Sequence, residues 1–231
     1  MPVALVQQTA IGTYTTGSPA QVVLTFAAGV TTGNTVVVAI GQSAASSRTY
    51  TTDLSGDTEA VLLAGTDSRR ATIRYAFAVT GNPTTVTVTA SSTNSMFRAI
   101  AYELSDVDTG AAVVTSSHQD ATGSTNTHYC GAAGAIDTTV NSVAIAVAVN
   151  SSSSTNTATG SWVDDDAGTS QYFFAHLTAA DALTDERGEY TGTNLRGSVG
   201  VIAAFLGTAP SSAVATWATN IGEVQVGGST F

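Results

Sequence analysis

Large apolar side chains recur at every second position through much of the chain. Ala20, Val22, Leu24 and Phe26 alternate with Gln21, Val23 and Thr25, and Ile73, Tyr75, Phe77 and Val79 alternate with Arg74, Ala76 and Ala78. A β-strand sends successive side chains to opposite faces, so this period predicts strands with one face turned to a core. Two further runs, Val36-Val37-Val38-Ala39-Ile40 and Val143-Ala144-Ile145-Ala146-Val147, are apolar at every position. They predict central strands, or strands whose second face is also covered. Residues 86–89, 99–104, 171–177 and 198–206 read as further strands. Turn signals such as Gly33-Asn34, Gly81-Asn82-Pro83 and Asp108-Thr109-Gly110 stand between them. The Ser/Thr/Asn tract 151–159 reads as an exposed loop, and only residues 178–187 carry a weak helical pattern. Regular strands and turns without long helical periods predict an all-β sandwich or barrel.

The pattern repeats. Gly33-Asn34-Thr35 leading into Val36-Val37-Val38 matches Val140-Asn141-Ser142 leading into Val143-Ala144-Ile145, and the runs beginning at Ile73 and Phe97 have counterparts at Tyr172 and Gly197. The spacing is roughly a hundred residues each time, so the chain divides into similar halves, about 1–110 and 111–208. Each half shows only four or five strand patterns, too few to cover both faces of a core. The expectation is therefore one shared core, with the halves interleaved as two Greek keys of a jelly roll spanning 1–208. Its lining would be Val22, Leu24, Phe26, Val36, Val38, Ile73, Tyr75, Phe77, Ile145, Phe173, Val201 and Phe205. Residues 209–231 follow Pro210-Ser211-Ser212 and have no counterpart in the first half. They read as a C-terminal interaction arm whose partner-binding residues are Trp217, Ile221, Val224, Val226 and Phe231, too apolar to be left in water.

Composition narrows the function. Of 231 residues only 10% are charged against the ordinary ~25%, while Ser and Thr make up roughly 27% and supply the polarity instead. All seven basic residues are Arg, and with 17 acids the net charge is −10. That balance argues against a nucleic-acid partner, because phosphate neutralisation needs clustered cations. The longest apolar stretch, 143–149, is too short for a membrane helix, and the N-terminal run lacks the basic flank of a secretion signal. Cys130 is the single cysteine, which removes intrachain disulfides and cysteine-based zinc sites.

Candidate chemistry is sparse. His118, Asp120, His128 and Cys130 lack ligand spacing, so they read as a polar connector and no metal is expected. His176 falls in a strand, where a packed, hydrogen-bonded imidazole is the simple reading. Asp164-Asp165-Asp166 could hold calcium but reads as a solvated turn, and no cofactor is expected. No Gly-x-Ser-x-Gly elbow or phosphate-cradling loop is present, and Glu59, Glu103, Glu186 and Glu189 form no evident catalytic pair, Glu103 being placed toward solvent or an Arg. The expectation is no enzyme and no catalytic residues. Trp162 is the one aromatic outside the arm placed to stack on a sugar, and Asn150-Ser151-Ser152 is a glycosylation sequon.

The run from Gly33 to Gly41, with Arg74-Tyr75-Ala76-Phe77-Ala78-Val79-Thr80-Gly81, the alternating Thr84–Thr89 segment and Ala101-Tyr102-Glu103-Leu104-Ser105-Asp106-Val107, resembles the jelly-roll β-sandwich modules of tailed-phage virion proteins. The likeness covers most of residues 20–207. It implies a decoration, or cement, protein on the outer capsid surface, assembled in the host cytoplasm. Its partners would be the major capsid protein and copies of itself, a homotrimer suiting the local threefold axes of a shell. The alternatives are a tail, knob or fibre component contacting the host surface, or a carbohydrate-binding module. The resemblance implies no catalytic residues.

Overall fold

The computed structural model describes residues 2–15, 19–43, 48–65, 69–93, 96–119, 124–133, 136–166 and 169–208. These residues form seventeen strands and no helix. The first half contributes β1 (Ala4–Gln8), β2 (Gly12–Tyr14), β3 (Gln21–Thr25), β4 (Thr35–Gln42), β5 (Tyr50–Thr52), β6 (Thr58–Ala64), β7 (Arg70–Ala76), β8 (Thr85–Ala90) and β9 (Phe97–Ser105). The second contributes β10 (Val114–Gln119), β11 (Ser124–Tyr129), β12 (Ser142–Thr155), β13 (Thr157–Ala158), β14 (Val163–Asp164), β15 (Thr169–Ala179), β16 (Glu189–Arg196) and β17 (Ser198–Leu206).

Each half builds a large and a small antiparallel sheet. In the first half they run β1-β9-β4-β7-β6, with β2 also on β9, and β3-β8-β5; in the second they run β10-β17-β12-β15-β14 and β11-β16-β13. With β1 and β2 taken as one interrupted strand, the two halves have the same strand order. The internal similarity of the sequence is thus a repeat of topology. The chain is an antiparallel β-sandwich protein of two similar halves, but the halves do not interleave. No ladder among the described residues joins a strand of one half to a strand of the other; Val107 and Gly207, at the junction and the end, form only an isolated bridge. The structure has more strands than the sequence pattern predicts, because β5, β10, β11 and β13 are short or rich in Ser, Thr and other polar residues and carry no apolar alternation.

Three apolar cores, not one, follow from this stacking. Val22, Leu24, Phe26, Val36, Val38 and Ile40 lie between the two sheets of the first half. Ala144, Ala146, Phe173, Tyr190 and Ile202 lie between the two sheets of the second. The largest cluster lies between the two large sheets and joins the halves, with Val37, Ala39, Ile73 and Tyr102 on one side and Val143, Ile145, Phe174, Val201 and Phe205 on the other. The order of layers is small, large, large, small. β4 is consequently buried at all eight positions, which is why its sequence is apolar throughout although its sheet is antiparallel. Tyr75 and Phe77 are only partly buried at the margin of the central core.

The faces also correct the alignment of the halves. Matching Val36 to Val143 places residues of opposite faces together, since Val37, not Val36, shares the central core with Val143. A slip of one residue reverses every side chain of a strand, and apolar runs with both faces buried give no signal against it. Two local expectations also change. The tract 151–159 is the end of β12 together with β13, not a loop, and residues 178–187 hold the end of β15 and a turn with Asp185 at φ 54°, not a helix.

Candidate functional site

The polar side chains singled out in the sequence converge chiefly where the halves meet. β14 pairs with β15, Val163 opposite His176, and the chain beyond it carries Asp165 back over the same strand, its N–H donating to the Phe174 carbonyl at 2.9 Å. The Asp165 carboxylate accepts a hydrogen bond from the Tyr102 hydroxyl of the first half at 2.8 Å and lies 2.9 and 3.0 Å from Nδ1 of His176. Its side chain is 1% exposed. Beside it Arg98 of β9 donates to Asp166 at 3.2 Å and lies 5.2 Å over the Tyr172 ring. The triple-Asp segment is therefore not a solvated turn: Asp165 and Asp166 fasten one sandwich to the other. Burial pushes the Tyr102 hydroxyl well above its ordinary range, and the neighbouring Asp165 pushes it the same way. Burial likewise raises Asp164, with opposing hydrogen bonds from the backbone of Asp166 and Ala158. A carboxylate, imidazole and phenol in contact have the ingredients of acid–base chemistry. The closed packing around Asp165 favours a structural clasp.

Glu103 is a second buried carboxylate, contrary to its expected exposure. It accepts hydrogen bonds from Gln7 Nε2 at 2.5 Å, the Thr31 N–H at 2.8 Å and Asn34 Nδ2 at 2.6 Å. Burial alone would raise its pKa; the three donors outweigh that and hold it below the ordinary glutamate value. The pairing of β9 with β1 and β4 explains the burial, because Glu103 lies opposite Gln7 and Val36. Among the other acids weighed as a catalytic pair, Glu59 meets Arg74 at 3.4 Å and Glu186 accepts from Trp162 Nε1 at 3.2 Å.

His118 and His128 lie on β10 and β11, the first strands of the second sandwich, so they form no connector between halves. His128 is buried with Nδ1 2.7 Å from Ser198 Oγ, and Cys130 is buried in the outer core. No group of three or more His, Cys, Asp or Glu able to hold a metal occurs among the described residues; Asp120 lies outside them. Trp162 is buried rather than presented to a sugar. Asn150 of the sequon is also buried, accepting from the Tyr190 hydroxyl at 2.6 Å and donating to Asn156 at 3.1 Å. A glycosyl group cannot attach there in the folded chain. The five arm residues Trp217, Ile221, Val224, Val226 and Phe231 lie outside the described residues.

Several clefts open at the surface among the described residues. One of about 600 Å³ is bordered by Asp53, Gly56, Phe77, Ala78 and Pro83. Another, about 380 Å³, is bordered by Pro2, Val140, Asn141, Ala182 and Thr208, where the described chain ends. Arginines far apart in sequence also lie near one end of the first large sheet. Arg48, Arg69 and Arg70 lie around the C-terminus of β4, Arg48 and Arg70 both close to Tyr50, while Arg98 of the adjacent strand points to the other face, toward Tyr172 and Asp166. Arg70 donates to the Arg48 carbonyl at 2.6 Å, and Arg69 donates to the Gly197 carbonyl of the second sandwich. Only Arg69-Arg70 was adjacent in sequence; the register of β4 with β7 and β9, which pairs Gln42 with both Arg70 and Phe97, brings the others near. Comparison of the chain with protein-family models, with curated proteins and with solved structures gave no match.

Proposed function

We propose that the protein is a structural component of a tailed-phage virion, a decoration protein on the outer capsid surface that binds the major capsid protein and assembles as a homotrimer. The observation that carries the reading is the doubled architecture. Two sandwiches of one strand order stand back to back on a common apolar core. The alternation of strands between large and small sheets supports reading each half as a jelly-roll module, in keeping with the virion modules that the sequence resembles. Chemistry-bearing side chains such as Asp165, His176, Glu103 and His128 are spent on internal hydrogen bonds. A rigid block of this kind suits work done by binding. Contacts with several shell subunits at once add by avidity, so each can be modest. The arm supplies the proposed attachment, with Trp217 as its anchor.

Immunogold labelling of virions carrying a tagged copy tests the placement. Label over the capsid is the expected result, and label confined to the tail overturns it. Trp217→Ala tests the arm: the variant keeps the melting temperature of the native chain but no longer forms trimers or decorates particles. Unchanged assembly and decoration would move the contacts from the arm to the sandwich surface.

A further inference from the structure

We propose that Trp217 of one copy docks in the cleft of about 380 Å³ at the end of a second copy, so that the arms are exchanged around a closed ring. The proposal rests on the arm being the means of attachment and names the surface that receives it. Pro2, Val140, Ala180 and Ala182 border the cleft with small apolar groups, and Asp181 stands among them as the one charged group. A cleft at the small end of the range for ligand sites suits one large side chain. An indole fits its chemistry: the ring covers the apolar wall, and its N–H, a donor only, needs an acceptor such as the Asp181 carboxylate. The arm begins on the rim of the same cleft. Thr208 borders it, and the residue before is fixed in place, the Gly207 N–H donating to the Asn141 carbonyl at 2.9 Å and Val107 bridging to Gly207. A Cβ on Gly207 would lie 2.6 Å from the Asn141 amide and 2.8 Å from Val3 N, so the chain leaves along one tightly packed path. A residue before proline favours extended backbone, so Ala209-Pro210 leads away from the rim instead of folding over it. Trp217 is nine positions beyond Thr208, a reach of up to ~30 Å, enough to cross to an adjoining molecule. Donor and acceptor stand at the same end of the molecule. Three copies around one axis can therefore each give an arm and receive one, and the contact closes into a ring with no cleft left over.

Size-exclusion chromatography with light scattering reads the assembly of full-length chains. Ala180 and Ala182 are exposed, so changes there act on the cleft and spare the cores. Ala182→Trp, which fills the cleft, and Ala180→Glu, which sets a second carboxylate beside Asp181, should each give monomers, as Trp217→Ala does. If one cleft variant fails to fold, the other takes its place. Mixing decides whether the contact lies between chains. Ala182→Trp keeps its arm and Trp217→Ala keeps its cleft, so the two monomers should join as a heterodimer, while neither joins itself. Ala182→Cys combined with Trp217→Cys should give covalent trimers on oxidation, read on a denaturing gel, the native Cys130 being buried. Crosslinks confined within single chains, with no heterodimer on mixing, would put each arm in its own cleft and overturn the exchange. Native-sized assemblies of both cleft variants, with Trp217→Ala still monomeric, overturn the cleft and leave the arm's role in attachment standing. Native-sized assemblies of all three variants overturn both, as does a native chain that stays monomeric.

Discussion

Glu103 shows how a single residue can reverse the meaning of its place in a strand. Its position in the alternating sequence Ile100-Ala101-Tyr102-Glu103 suggests an outward side chain, yet Gln7, Thr31 and Asn34 close over it with three hydrogen bonds. Because those bonds depress its pKa, the stability it contributes is present in full above the ordinary glutamate value of 4.5 and is lost as pH falls through the depressed folded value. Glu103→Gln should therefore lower stability at pH 7 by about 1.5–3 kcal/mol. The same variant should flatten the acid limb of a denaturant-derived stability profile below pH 4.5. Equal losses at pH 7 and pH 3 would show that the charge is not what the three donors hold. Asp165 acts similarly between the halves. A double-mutant cycle of Asp165→Asn with Tyr102→Phe should give a coupling of about 1–2 kcal/mol in chemical unfolding, and strict additivity would remove the clasp.

At the scale of the element, β4 and β12 are the strands on which the stacking turns. Each is central in a large sheet and covered on both faces, β4 throughout and β12 from Ser142 to Asn150, so small and apolar side chains dominate where the layers approach. Gly41 marks the tightest point: a Cβ there would lie 2.8 Å from Tyr172 Cδ1 and 2.9 Å from Val149 Cγ2, both in the other sandwich. Gly41→Ala should then cost about 1–3 kcal/mol by forcing the two large sheets apart. Restoring space with Val149→Ala should recover part of the loss. If Gly41→Ala is neutral in thermal unfolding, the sheets are less closely seated than the side chains imply.

For the whole molecule, the central core decides whether the halves are independent. Separation would expose Val37, Ile73, Ile100 and Tyr102 on one face and Val143, Ile145, Phe174 and Phe205 on the other. Faces of this size are poor surfaces to leave in water. The full chain should unfold in one transition by calorimetry, while fragments 1–110 and 111–231 made separately should bind hydrophobic dyes or aggregate, and should recover a native near-ultraviolet spectrum on mixing. Two sharp, independent melting transitions from the isolated fragments would show that each sandwich is complete without the other.

Local pattern was enough to establish the central strands β4, β7, β9, β12, β15 and β17 of the large sheets, β3 and β8 of a small one, the all-β class and the presence of two similar halves, because side-chain period and apolar runs are written in consecutive residues. The burial of β4 on both faces was legible for the same reason. What the sequence left open were relations between distant residues: which layers stack, which face of an all-apolar strand meets which core, and where a polar side chain ends. Thr and Ser satisfy a strand as well as a loop, so β10, β11 and β13 gave no sign of themselves. Asp165 looked solvated because its two partners, Tyr102 and His176, lie on strands of different sandwiches. The arginines at the end of β4 likewise became neighbours only through the pairing of β4 with β7. Period is a property of neighbours along the chain; burial and charge environment belong to neighbours in space, and only the tertiary structure chooses those.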